Sequence, residues 1–163
     1  MLFQAVMVVA TVLCSLVAGI LFAFATVVMP GIKNLEDAAF IRAFQVIDRV
    51  IQGYQPLFML VWIGSALSTI AAAAIGGWKL AGLDRVVLVL AALIFLLGVQ
   101  VPTATINIPM NDALQTLDTR TMSETALKRA REAFESRWNQ WNIIRTVFAI
   151  IVTVLLIVLL LRL

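Results

Sequence analysis

The sequence predicts an all-α integral membrane protein: a four-helix bundle of up-down-up-down order, with amphipathic helices in its first and third loops. Of 163 residues, 63% are hydrophobic and only 13% charged, the balance of a membrane protein rather than a soluble domain. Four apolar runs, 5–29, 57–75, 86–106 and 143–161, each reach the roughly 18 residues needed to cross about 30 Å of hydrocarbon. Lipid tolerates no exposed backbone polar groups, so each run has to be helical. The chain is read as one domain, 1–163.

The first run lacks a basic leader and is too long for a signal-peptide core, so it is expected to be retained. Thr11, Ser15 and Gly19 recur at a spacing of four, a narrow face suited to close helix packing. Met29-Pro30-Gly31 is expected to stop the helix and turn the chain. From Glu36 to Tyr54, Phe40, Phe44, Ile47, Ile51 and Tyr54 recur at threes and fours, while Gln45, Asp48 and Gln52 line another side. That is an amphipathic helix. It either lies on the membrane with Gln45 and Asp48 in water, or caps the bundle and holds them over a cavity.

The second span follows Pro56 and carries Gly64, Ser68 and Ala72 at a spacing of four, a second small-residue seam. A short connection, 76–85, leads to the third span. Pro102 and Pro109 near its end are expected to interrupt the helical ladder and free backbone carbonyls at the membrane edge. Asn107 and Asn111 flank Pro109, either as ligand-facing amides or as caps of a proline-terminated helix. Ser123 is an N-cap for a helix over 123–137, which runs through Trp138 into the fourth span or breaks near Asn139.

The stretch Phe134–Arg145 carries more than an anchor requires. On a helix, Trp138, Trp141, Asn142 and Arg145 fall at i, i+3, i+4 and i+7 and share one stripe. Trp and Arg both favour the headgroup level, so an interfacial belt is one reading. The other turns the stripe to the bundle interior, because an arginine within a span needs polar partners or a route to the interface.

Loop order places the amphipathic helix, the Asn107–Asn111 segment and the Trp138–Arg145 stripe at one end of the bundle. Independent belt residues would be spread over both ends, so the convergence marks a candidate site. The candidate catalytic residues are Arg145, Asp48 and Asn107; the candidate substrate-binding residues are Gln45, Asn111, Trp138, Trp141 and Asn142. Such a pocket suits a flat, apolar ligand bearing carbonyl or phenol oxygens, with the guanidinium holding an oxyanion and an indole stacking on the rings. Asp48, Asp112 and Glu135 are the carboxylates available as a base.

Composition also excludes function classes. There is no histidine, which removes His-ligated haem, His-based zinc or copper sites and any Ser-His relay. No metal ligand is assigned and no cofactor is expected. Cys14 is the single cysteine, so no intrachain disulfide forms. The net charge of +3 is spread without a dense basic tract, and no nucleic-acid partner is expected. The expected partners are membrane lipid and a hydrophobic small-molecule substrate, with a homo-oligomer left open. Counting Lys and Arg favours the long loops being cytoplasmic, but the short loop is denser in charge, and orientation stays open.

Asn107-x-Pro109-x-Asn111, the later Phe134-x-x-x-Trp138-x-x-Trp141-Asn142-x-x-Arg145, the Met29-Pro30-Gly31 turn and the Phe44-Gln45 pair resemble the small four-span anthrone oxygenase family over nearly the whole chain. The resemblance implies oxidation of an anthrone-type polycyclic phenol to a quinone by molecular oxygen, without metal or flavin. It also implies that Asn107, Asn111, Trp138, Trp141, Asn142 and Arg145 are the matched polar positions. Asp48 stands where many relatives are expected to carry asparagine. The expected location is a bacterial inner membrane. Two other readings are a non-enzymatic tetraspan protein that binds a lipid or amphiphile, and a structural subunit of a membrane complex.

Overall fold

The computed structural model describes residues 1–163 and is helical, without strands. Its five helices are α1 (Leu2–Ile32), α2 (Asp37–Gln52), α3 (Pro56–Lys79), α4 (Gly82–Gln115) and α5 (Glu124–Arg162). All but α2 are long and apolar enough to cross a membrane. The protein is an integral membrane helical bundle. α1 packs on α3, α3 on α4, α4 on α5 and α5 on α1, while α2 packs against α5 and the end of α4.

The helices start where local chemistry allows. Pro56 opens α3, and the Gln55 side chain accepts the Phe58 N–H. The Ser123 hydroxyl accepts the Ala126 N–H at the start of α5, which satisfies a donor that the first turn leaves unpaired.

Two boundaries differ from expectation, and proline is involved in both. α1 runs past Pro30 to Ile32, and α4 runs through both Pro102 and Pro109 to Gln115. A wide π-helical turn precedes each proline: Phe24–Val28, Leu96–Gln100 and Thr103–Asn107. A proline ring clashes with the carbonyl four residues back, and those carbonyls belong to Thr26, Gly98 and Thr105, the middle residues of the three wide turns. Widening moves the carbonyl aside and keeps the helix continuous. α5 is one helix of 39 residues, which decides for the continuous reading through Trp138 over a break near Asn139. At about 1.5 Å per residue its length is roughly 58 Å, nearly twice the hydrocarbon thickness. The helix predicted over 123–137 is its first part, projecting beyond the span.

The small-residue seams are also rotated from expectation. Ser15 and Gly19 of α1 are exposed, and the buried face is Met7, Ala10, Thr11, Cys14, Val17 and Ala18. On α3 the buried seam is Ser65, Thr69, Ala72 and Gly76. A side chain at Gly76 would overlap Leu88 and press on Phe3, so glycine there sets the approach of three helices.

Two hydrophobic cores result. One fills the bundle from Phe3 and Leu159 to Leu21, Val99 and Ala149. The other joins Met29, Phe40, Ile41, Phe44, Leu114, Leu127, Phe134 and Trp138 beneath α2. Between them on α4 and α5 lie Thr103, Asn107, Asn142, Arg145 and Thr146, all buried.

Arg131 fastens the second core. It pairs with Glu135 at 2.7 Å and Asp37 at 3.1 Å, donates to the Leu35 and Lys33 carbonyls, and lies 4.3 Å from the Phe40 ring centroid. These bonds hold the α1–α2 turn on α5. Arg131→Met is expected to destabilise the fold by about 1.5–3 kcal/mol, the range for hydrogen bonds to charged groups, read as a lower thermal midpoint in detergent.

Candidate functional site

A cavity of about 380 Å³ lies between the two cores, and all five helices contribute to it. Its apolar walls are Ile20, Leu21 and Phe24 of α1, Phe44 and Ile51 of α2, Phe58, Met59 and Trp62 of α3, and Trp138 of α5. The Phe58 and Trp62 rings stack 5.5 Å apart, and Trp138 packs edge-on against Phe44 at 5.2 Å.

The polar wall on α4 and α5 is built around Arg145, which is 3% exposed. Its Nη1 donates to Thr103 Oγ1 at 2.8 Å and its Nη2 to Asn142 Oδ1 at 3.2 Å. Asn142 Nδ2 in turn donates to the Leu21 carbonyl of α1 at 3.0 Å. The guanidinium carbon is 5.9 Å from the Trp138 ring centroid, within reach of a cation–π contact. No carboxylate pairs with it: the ion pairs of the chain involve Arg120, Arg131 and Arg162. Arg145 Nε has no hydrogen-bond partner within the protein, and neither does either amide atom of Asn107, which is 2% exposed on the same lining.

The second polar wall is built around Asp48 of α2, which is 2% exposed and also without a cation. Asn111 Nδ2 donates to Oδ1 at 2.8 Å; Gln52 and Gln115 donate to Oδ2 at 2.8 and 3.0 Å. Asn111 Oδ1 accepts the Trp138 indole N–H at 2.8 Å, so one amide joins the carboxylate to the aromatic wall. Gln52 Nε2 also donates to Asp112 Oδ1 at 3.0 Å. Burial pushes the Asp48 carboxyl above its ordinary value, the three amides oppose this, and nearby Asp112 adds a smaller upward push.

Of the residues expected at the site, Arg145, Asp48, Asn107, Asn111, Trp138 and Asn142 line the cavity, as does Asp112 at its exposed edge. The stripe on α5 therefore faces inward at Trp138, Asn142 and Arg145. Trp141 does not line the cavity; about 60° round the helix from Trp138, it sits at the stripe's edge. Gln45 is buried but turned away, donating to the Leu114 and Leu117 carbonyls at 2.8 and 2.9 Å, where it caps α4. Glu135 is held by Arg131. Asn111 is a strut rather than a free ligand group, because both ends of its amide are engaged. Sequence reasoning passed over Thr103, Gln115 and Trp62. Thr103 was signalled by its spacing of four from Asn107 and Val99; nothing marked Trp62 among apolar neighbours.

The lining offers one buried, unpaired cation, one buried, unpaired carboxylate and aromatic faces, an arrangement able to deprotonate an apolar ligand and hold the resulting oxyanion. No group of three or more His, Cys, Asp or Glu side chains is placed to hold a metal ion. In comparisons with known proteins, a family model described as anthrone oxygenase matches residues 49–155, more than half the chain. No curated protein and no solved structure matches.

A carboxyl with a raised folded-state value binds its proton more tightly folded than unfolded. Its stabilising contribution is present below the ordinary carboxylate value of about 3.9 and is lost as pH rises through the raised one. Relative to Asp48→Asn, the wild type is therefore expected to lose thermal stability across that window, measured as midpoints in detergent over a pH series.

Proposed function

The chain belongs to the anthrone oxygenase family, and on that premise we propose that the cavity binds a flat polycyclic phenol of the anthrone type and oxidises its activated methylene with molecular oxygen. The observation that carries this reading is the placement of Arg145 and Asp48 on one cavity lining, both buried and neither ion-paired. An anthrone has its carbonyl and its reactive methylene on opposite edges of the central ring. A cation at one wall and a carboxylate at another suit that disposition. The cavity volume of about 380 Å³ lies in the lower part of the range for small-molecule sites, about 300–1,000 Å³.

In this reading Asp48 removes a methylene proton and the charge spreads onto the ring oxygen, where Arg145 stabilises it. Trp138 packs on the rings and holds the substrate in register. The electron-rich anion passes one electron to oxygen; the carbon radical and superoxide combine to a peroxide, which takes the proton held by Asp48. Loss of the second C–H proton to Asp48 breaks the O–O bond, leaving the new carbonyl and hydroxide. Hydroxide then takes that proton and departs as water. One methylene and one oxygen molecule thus become one ketone and one water.

Oxygen uptake by the purified protein with an anthrone is expected to exceed the protein-free rate. Asp48→Asn and Arg145→Lys should each lower kcat/KM by about 10²–10³, with folding checked by thermal midpoint. The wild-type rate should fall as pH drops through a value above the ordinary carboxylate range, and that limb should vanish in Asp48→Asn. Uptake equal to the protein-free rate with folded protein would overturn the oxygenase reading; ligand binding without uptake would favour the tetraspan binding protein instead.

A further inference from the structure

We infer that the cavity opens sideways between α3 and α4 at the edge of the bilayer, and that its ligand enters from the membrane rather than from water. The chemical nature of that ligand rests on the proposed function; the existence and direction of the opening do not.

Round the cavity α1 packs closely on α3, and three further seams are latched by hydrogen bonds. Asn142 to the Leu21 carbonyl closes α5 on α1, Arg145 to Thr103 and Trp138 to Asn111 close α5 on α4, and Asn111 and Gln115 to Asp48 close α4 on α2. Nothing comparable joins α3 to α4 at this level. Their packing is carried by Gly82–Phe95, with Gly76 seated against Leu88, whereas Thr103–Gln115 packs on α2 and α5. The two helices meet at one end of the bundle and lose contact toward the other.

The exposed residues of the lining locate the mouth. They are Gln52, Tyr54, Ile108 and Asp112. Tyr54 is 75% exposed and Ile108 47%, although both border the cavity. Across the gap from Ile108 stand the half-buried rings of Phe58 and Trp62. Beside those rings, Leu57, Leu60 and Ile63 are exposed on a spanning helix, a surface that belongs in lipid. The mouth thus runs from an apolar edge on the bilayer side to a polar edge of Gln52 and Asp112 at α2. That gradient fits an amphiphile held at the headgroup boundary, ring system inward along the acyl chains.

The test uses a thiol placed on the cavity wall by Thr103→Cys in a Cys14→Ala background, with the full chain in phospholipid vesicles. A bilayer-dissolved aromatic maleimide is expected to modify that thiol faster than a charged, water-soluble one. Ile108→Trp, which narrows the apolar edge, is expected to slow the apolar reagent about tenfold, and Ile108→Ala to speed it. Modification by the charged reagent at an equal or greater rate, or rates indifferent to position 108, would overturn the lateral opening. No modification by either reagent in protein whose thermal midpoint is unchanged would overturn it as well, by showing a closed cavity. None of these readouts requires turnover, so a missing oxygenase activity and a missing portal give different results.

Discussion

The burial of the Arg145 guanidinium constrains the whole site end of the molecule. A cation within the first turns of a spanning helix costs a few kcal/mol or more unless polar groups meet it. Here the chain meets it with neutral groups on two helices, Thr103 of α4 and Asn142 of α5. Each of those is itself committed: the Thr103 hydroxyl donates to the Val99 carbonyl, and the Asn142 amide to the Leu21 carbonyl. Arg145 is thus bound to α4 directly and to α1 through one intermediary. A polar layer of this kind cannot be repacked residue by residue, and it separates two apolar cores that would otherwise merge.

The layer also keeps opposite charges apart. A direct Arg145–Asp48 pair would cancel both and leave neither for a ligand. Asp48 is instead satisfied by three amides, from Asn111, Gln52 and Gln115. Amides hydrogen-bond a carboxylate without neutralising it, so burial can still raise its proton affinity. The Asn111 amide does a second job by fixing the Trp138 indole. The carboxylate and the aromatic wall are therefore oriented by the same side chain, and disturbing one disturbs the other.

How much of this the sequence disclosed depended on periodicity. The four spans, the amphipathic α2 and the shared stripe of Trp138, Asn142 and Arg145 follow from apolar length and helical spacing alone, whereas the stripe's inward direction rested on the arginine's need for polar partners. The role of Gln45 was hidden, because it caps an α4 end that the prolines made appear to come much earlier. Asn111 was legible as a site residue but not as a strut, since its two partners lie 63 and 27 residues away in the chain. The packing seams were misplaced by a fraction of a turn. In α1 and α3, small residues occur on more than one face, and spacing alone does not choose among them.

α4 shows why its prolines mark construction rather than interruption. Phe95, Val99, Thr103, Asn107, Asn111 and Gln115 recur every four residues; the first four are buried, and the last two bond to Asp48. A regular α-helix turns about 40° out of register with each four-residue step, so five steps would swing Gln115 about 200° from Phe95. Each wide turn absorbs one extra residue, about 100° of rotation, and two lie within this stretch. Together they cancel the drift and hold all six residues on one face. Pro102 and Pro109 favour the wide turns by excluding the ordinary carbonyl position. The same two prolines therefore bring Thr103 to Arg145, Asn107 to the cavity and Asn111 to Asp48, and a strictly α-helical α4 would present at most part of that set.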